Sequence, residues 1–450
     1  MATTAPRYTK VAGVHVAYKV AGSGSTDLLV IPDGLIPIEA METEPSFARF
    51  LRRLSGSFRV ITYDRRGMGL SDPVTTSDPP TLEQWVEDAE AVLSEVGSDR
   101  AAILAMAEGT FVAALLAAMR PERVSHLVLV NGTPGVTAEP FRHWGVAANT
   151  LELLDETIEQ QWGEVDFGIP LFAPSAVGDA SYREWIKGAA QRSLSPATAN
   201  AVFDVLFRSD VRDVLPSIRA PTLVIHRSGN RYLTSEHGKY LVEHIPGAIY
   251  REVEGADHVP YLGDHGPILD AVEDFLAGSR RIVDTDRFLT TVLFTDIVGS
   301  TEHAARLGDH GWRLLLDDHN AIVRRALADY GGREIDTAGD GFLATFDGPA
   351  RAIHCARAVC AAVRGLGIEI RAAVHTGECE RVEGKIMGIA VHTGARLASL
   401  AGSGEVVASH TVKDLVAGSG IAFDDRGLHE LRGVPGEWRI YAVAESDFVG

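Results

Sequence analysis

LTTVLFTDIVGST, residues 289–301, and REIDTAGDGFLATF, residues 333–346, decide how the C-terminal third of this chain folds. In each, a β-branched and aromatic run suited to a strand ends at an aspartate, Asp296 or Asp340. Small residues follow, letting backbone approach a ligand closely. Carboxylates at the tips of two neighbouring strands can hold a pair of hard cations through oxygen, as Mg²⁺ prefers when it also binds substrate phosphates. Either aspartate alone reads equally well as a turn residue beside glycine. Together, in this wording, they read as metal ligands.

Working outward, the strand LTTVLFTD is followed by a long helical run through Tyr330, then the strands REIDTAG and GFLATF, the helix PARAIHCARAVCAAVRGL and the strand IEIRAAVHTG. The order βαββαβ is that of a ferredoxin-like core, an α+β arrangement. From about Phe288 to Val443 the sequence resembles the catalytic domain of the class III nucleotidyl cyclases, which include adenylate and guanylate cyclases. AVHTGE (373–378), GIAVHTGARL (388–397) and GVPGEW (433–438) recur in that family's order.

The resemblance implies a site shared between two catalytic domains, hence a homodimer, using two Mg²⁺ or Mn²⁺ ions. It makes Asp296 and Asp340 the metal ligands, with the carbonyl of Ile297 assisting. The amides of Val298, Gly299, Ser300 and Thr301 are expected to cradle phosphate at a helix start, and Arg371 to contact the terminal phosphates. From the partner copy, Arg396 matches the family's transition-state arginine, and its planar fork suits a charge-dense phosphoryl group. His392 lies four residues earlier on the same helical face, where many members carry asparagine. Arg432 stands for a lysine that binds the triphosphate.

Base recognition departs from the family. Its adenylate cyclases carry a lysine and an aspartate where this chain has Asp336 and Lys385, so the two charges are exchanged. One donor and one acceptor remain, and a salt bridge between them is possible, but adenine must meet them displaced or rotated. The expectation is a slow adenylate cyclase converting ATP to cyclic AMP and pyrophosphate. Guanylate cyclase is a near rival, because guanine presents O6 as acceptor and N1 and N2 as donors. A weak or inactive nucleotide-binding protein, or a ligand-sensing module, is the further alternative.

At 450 residues the chain exceeds what one core usually serves. Its net charge of −19 argues against non-specific binding to nucleic acid or anionic lipid. No run of about eighteen apolar residues suggests a membrane span, and MATTAPRYTK lacks the apolar core of a signal peptide, so a cytoplasmic location is expected. Cys355, Cys360 and Cys379 lack a zinc-like pairing and read as reduced, structural thiols.

Residues 1–280 alternate apolar strand runs with helical patterns: DLLVIPDG (27–34), FRVITYDRRGMGLSDP (58–73), AAILAMAEG (101–109), VSHLVLVNG (124–132) and PTLVIHRSGN (221–230). That is the rhythm of a parallel sheet with crossover helices. Residues from about 133 to 217 break it and suggest an inserted cap enclosing a pocket. A polar linker is expected at 281–287, with the cyclase-like domain at 288–450.

With YDRRGMGLSDP and GADHVPYLGD, the first domain resembles an α/β-hydrolase. That fold exposes a serine in G-x-S-x-G on a strained turn between strand and helix. Here Ala107 occupies the nucleophile position, Asn230 the acid position, and only His258 survives. Glu108 follows the elbow, and its side chain is expected to point elsewhere. The resemblance then implies a non-hydrolytic regulatory domain with room for a small-molecule ligand.

Overall fold

The computed structural model describes residues 5–32, 36–137, 139–144, 158, 162, 168–278, 287–382 and 385–444. The chain divides into two compact units, Met1–Thr285 and Asp286–Gly450. Most of the expected linker, and parts of the expected cap, lie outside the described residues.

The first unit is built on eight strands: β1 (Arg7–Val11), β2 (Val14–Ala21), β3 (Asp27–Ile31), β4 (Arg59–Tyr63), β5 (Ala101–Met106), β6 (Val124–Val130), β7 (Thr222–Arg227) and β8 (Ile249–Val253). They lie in the order β1-β2-β4-β3-β5-β6-β7-β8, parallel from β4 onward, with β1 and β2 antiparallel at one edge. The central strands are near-continuous apolar runs because helices cover both faces; β5 is buried at every residue. Helix Gly109–Met119 is buried throughout, and Thr81 and Gln84 form a reciprocal capping box at the start of helix Leu82–Glu95. The edge hairpin turns at Ala12 and Gly13, with φ of 48° and 89°, the positive pair a tight hairpin requires.

The second unit contains β9 (Arg287–Ile297), β10 (Arg333–Ala338), β11 (Gly341–Phe346), β12 (Ile370–Val382), β13 (Lys385–Met387), β14 (Val406–Ser409), β15 (Phe423–Glu430) and β16 (Glu437–Val443). β9 begins at Arg287, inside the stretch expected to be linker. The order is β10-β11-β9-β12-β14-β16-β15, with β13 folding back on β12. Its first four strands and two helices make the ferredoxin-like core, and the remaining strands extend the sheet.

Alternation along β9 and β12 decides what each face packs. Leu293, Ile297, Ala372 and Val374 join the core beneath helices Ser300–Tyr330 and Pro349–Val363. Val292, Phe294 and Ala373 face the other side, where helix Ile389–Ala398 packs. Gly394 permits that packing, since a Cβ there would sit 2.9 Å from both Phe294 and Val292. The long helix expected through Tyr330 is interrupted at Gly308, whose φ of 67° and ψ of 168° are not helical. Cys355, Cys360 and Cys379 are buried free thiols, each pushed up by burial, to about 12, 11 and 12.

Candidate active site and a second pocket

Asp296 shares the face of β9 that carries Val292 and Phe294, because side chains two apart point the same way. Directly across the ladder from it lies Arg371 of β12. The Nε and Nη2 of Arg371 donate to Asp296 Oδ2 at 2.9 and 2.5 Å, and both side chains are about one-third exposed, at 37% and 34%. The arginine expected at the terminal phosphates therefore rests on a carboxylate expected to bind metal.

Asp340 sits in the turn just before β11, whose Phe342 pairs with Thr295 of β9. That register brings Asp340 to the same end of the sheet as Asp296 and Ile297. Its Oδ2 is buried and has no hydrogen-bond partner among the described residues. Leaving such an oxygen unpaired costs about 1–3 kcal/mol, and a hard cation is the natural partner for it. The residues thus fit a divalent ion. Among the described residues no cluster of three or more His, Cys, Asp or Glu exists, so ions here would depend on two carboxylates, the Ile297 carbonyl and oxygens of a bound phosphate.

The phosphate cradle is shorter than expected. The amide of Val298 donates to the carbonyl of Glu369 at 2.9 Å, which removes it from the set. Gly299 stands at the N-cap with a φ of 66°, leaving the amides of Gly299, Ser300 and Thr301 at a helix start, where no intrahelical acceptor reaches them.

On helix Ile389–Ala398, Thr393, Gly394, Leu397 and Ala398 are buried whereas His392 and Arg396 are exposed. The two lie on one open face. Arg396 Nε donates to the carbonyl of Arg432 at 3.1 Å, bringing those two arginines together. Asp336 follows a bulge in β10 and is exposed; its Oδ1 accepts the N–H of Thr337 at 2.9 Å. Lys385 opens β13 opposite Val382; its side chain lies outside what is described.

In the first unit Ala107, at the position where the resemblance places a nucleophile, lies in the turn between β5 and the following helix. Ala107 has a φ of 52°, unusual for a residue with a side chain. At Gly109 a Cβ would lie 2.7 Å from the Ile31 carbonyl oxygen, so the helix approaches β3 only with glycine there. His258 is 2% exposed, and its Nδ1 lies 3.1 Å from Asn230 Nδ2. The Asn230 amide is oriented by its oxygen, which accepts the N–H groups of Tyr232 and Leu233 at 3.1 and 3.3 Å. Asn230 therefore donates to Nδ1, and the proton of the neutral imidazole sits on Nε2. In a working triad the acid accepts from Nδ1–H and leaves Nε2 as the base. Here the tautomer is reversed.

Glu108 corrects an expectation. Its carboxylate does not turn away: it lines the same cavity as His258 and accepts the Tyr232 hydroxyl at 2.8 Å. Tyr232 in turn meets the His258 ring edge-on at 4.8 Å. The cavity is about 70 Å³, walled by Phe172, Tyr182, Phe207 and Tyr261 among others, so cap residues do help enclose it. No sequence signal announced Tyr232, although its place two residues after Asn230 could have drawn notice.

Burial holds four histidines of this unit below their usual range: His226 at about 4, His237 at about 4, His258 at about 3, and His265 in the same direction. Unfolding exposes them, and each then takes up a proton below about pH 6.5. Their stabilising neutrality is complete above that value and is lost as pH falls from about 6.5 toward 4 and 3. Asp64, pushed up to about 6 by burial, and Asp88, also raised by burial, work in the opposite sense, but they are two groups against four. The melting temperature of this unit is expected to fall steadily between pH 7 and pH 4.5 in scanning calorimetry; a flat or rising course would refute the accounting.

The profile of the alpha/beta hydrolase fold matches residues 28–264, and that of the adenylate and guanylate cyclase catalytic domain matches residues 286–445. The chain is 31% identical over 249 residues to polyketide synthase ThaQ of Burkholderia thailandensis; the match covers 53% of this chain but only 11% of that much longer protein. A pimeloyl-[acyl-carrier protein] methyl ester esterase of Aromatoleum aromaticum is 26% identical over 216 residues, covering 45% of this chain and 83% of the esterase. Among solved structures, the adenylyl cyclase CyaB from Pseudomonas aeruginosa is 24% identical, with a TM-score of 0.34, and the match covers 36% of this chain and 96% of that one. The parallel-rich sheet of the first unit and the mixed sheet of the second agree with these profiles: the chain belongs to the α/β-hydrolase fold family and carries a class III adenylate and guanylate cyclase catalytic domain at its C-terminal end.

Proposed function

We propose that this chain is an adenylate cyclase acting as a homodimer, and that its hydrolase-like unit binds a ligand without hydrolysing it. The observation that carries the catalytic reading is the pair Asp296 and Asp340 at adjacent strand ends, with a buried Asp340 oxygen that lacks a hydrogen bond among the described residues. In the reaction the ribose 3′-oxygen forms a bond to the α-phosphorus, its proton passes to solvent, and the bond to the bridging oxygen breaks as pyrophosphate leaves. Two bound Mg²⁺ or Mn²⁺ ions would make the 3′-oxygen a better nucleophile and neutralise the triphosphate. Asp296, Asp340 and the Ile297 carbonyl would hold them. Release of Asp296 frees Arg371 for the terminal phosphates, while Arg432 supplies a further positive charge. Arg396 and His392, exposed together, are suited to reach a nucleotide held by the partner subunit.

Two features support loss of hydrolysis in the first unit. Ala107 offers a methyl group where an attacking oxygen is needed, and a protonated Nε2 on His258 cannot accept that oxygen's proton.

The test is direct: purified full-length protein is incubated with ATP or GTP and Mn²⁺, and cyclic AMP and cyclic GMP are quantified. Cyclic AMP is expected to predominate. If neither product forms and the Asp296→Ala variant behaves like the wild type, the proposal is wrong. Base choice has its own test. Exchanging the charges back, with Asp336→Lys and Lys385→Asp together, should raise the ATP-to-GTP ratio about tenfold or more, the worth of one mismatched buried hydrogen bond of about 1–3 kcal/mol. An unchanged ratio would show that these residues do not read the base.

A further inference from the structure

The first unit keeps a costly arrangement that catalysis no longer explains. The elbow still holds Ala107 in a left-handed conformation, and His258 is still buried against the cavity. Its Nδ1 is taken by Asn230, and Nε2 is buried with no hydrogen-bond partner among the described residues. A neutral imidazole in this tautomer presents one N–H and accepts nothing at that atom. Such a donor left unpaired is unfavourable, and buried polar groups are normally satisfied.

The remaining wall fixes the ligand's character. Aromatic and aliphatic side chains dominate it, and the one acidic group, Glu108, is engaged by the Tyr232 hydroxyl. No lysine or arginine lines the cavity among the described residues, so an anion would face Glu108 with no cation to offset it. His258 itself is held neutral by burial and offers no positive charge.

We infer that the cavity beside Ala107 is a binding site for a small, uncharged, largely apolar molecule bearing a carbonyl oxygen, which accepts a hydrogen bond from His258 Nε2–H and is not hydrolysed. This rests on the reading of the first unit as a binding domain and names the class of its ligand. The cavity of about 70 Å³ holds only a few non-hydrogen atoms as it stands, so binding of a six- or seven-membered ring requires the cap side chains on its wall to give way.

The test uses the full-length chain without nucleotide. Cyclohexanone, ε-caprolactone and cyclohexanecarboxylate are titrated by calorimetry. The two uncharged carbonyl compounds should saturate a single site, with the carboxylate at least about tenfold weaker, the penalty of burying an unpaired charge being larger than one hydrogen bond. ε-Caprolactone should be recovered intact after prolonged incubation. His258→Phe should weaken both uncharged ligands about tenfold by removing their only charge-free donor at that atom. Imidazole ¹⁵N spectra of the wild type provide a reading independent of that variant's folding: the protonated Nε2 resonance of His258 should move when cyclohexanone is added. Tighter binding of the carboxylate, hydrolysis of the lactone, full affinity in a folded His258→Phe variant, an unmoved Nε2 resonance, or no saturable binding of either carbonyl compound would each overturn the inference. None of these outcomes touches cyclic nucleotide formation, so the two readings fail separately.

Discussion

Asp296→Asn and Asp340→Asn are each expected to lower cyclic nucleotide formation about a thousandfold or more in the full-length protein while leaving it folded. Asparagine preserves shape and removes the charge a divalent ion needs, and loss of several kcal/mol of transition-state stabilisation corresponds to that factor. Stability should move differently at the two positions. Asp340 carries a buried oxygen that no described residue satisfies, so neutralising it should leave the melting temperature unchanged or raise it. Asp296 is paired with Arg371, but both groups are about one-third exposed. Water screens that pair, and its loss should cost no more than about 1 kcal/mol. A structural role would instead make activity and stability fall together. Product chromatography and calorimetry on the same preparations separate the cases, and either variant retaining more than about a tenth of wild-type turnover would remove its aspartate from the catalytic role assigned to it.

The strand ends carrying Asp296 and Asp340 were legible because β9 and β11 read as apolar, β-branched runs cut off by small residues. What the runs do not reveal is register. Arg371 meets Asp296 because β12 is antiparallel to β9 at one particular offset, and a shift by one residue would turn the arginine to the other face. The amide of Val298 is likewise claimed by Glu369, a bond between backbone groups that no side-chain pattern advertises. Gly308 gave a local sign of its helix break, yet a glycine inside a helical pattern more often passes as tolerated.

In the first unit the central apolar strands were plain, whereas β1, β2 and β8 were overlooked because RYTKV, VHVAYKVA and IYREV mix charged and polar residues with the apolar ones. The absence of serine and acid from the triad positions could be read directly. The reversed tautomer could not, since it follows from which end of the Asn230 amide faces His258, and two backbone amides of the following loop decide that. Glu108 was misjudged for a related reason. The elbow aims one side chain at the substrate position, but a long side chain on the next residue reaches the same cavity when a tyrosine hydroxyl draws it there.

Mixing Asp296→Asn chains with Arg396→Ala chains, each nearly inactive alone, is expected to restore about a quarter of wild-type activity. In a twofold dimer with two shared sites, free exchange makes half the dimers heterodimers, and each of these has one intact site of two. Exposure of His392 and Arg396 on one face favours sharing, as do the bare apolar neighbours Met387, Ile389 and Leu400, which are 54%, 51% and 44% exposed. Exposed apolar side chains close in sequence to these two residues suggest a surface that another molecule covers. If Asp296 and Arg396 instead served a site within one chain, every site in the mixture would lack one of them and no activity would return. A doubly substituted chain mixed with wild type sharpens the distinction. Shared sites leave only wild-type homodimers active, about a quarter of the dimers, whereas self-contained sites leave every wild-type chain active. The outcome decides whether the arginine acts on its own chain's nucleotide or on the partner's.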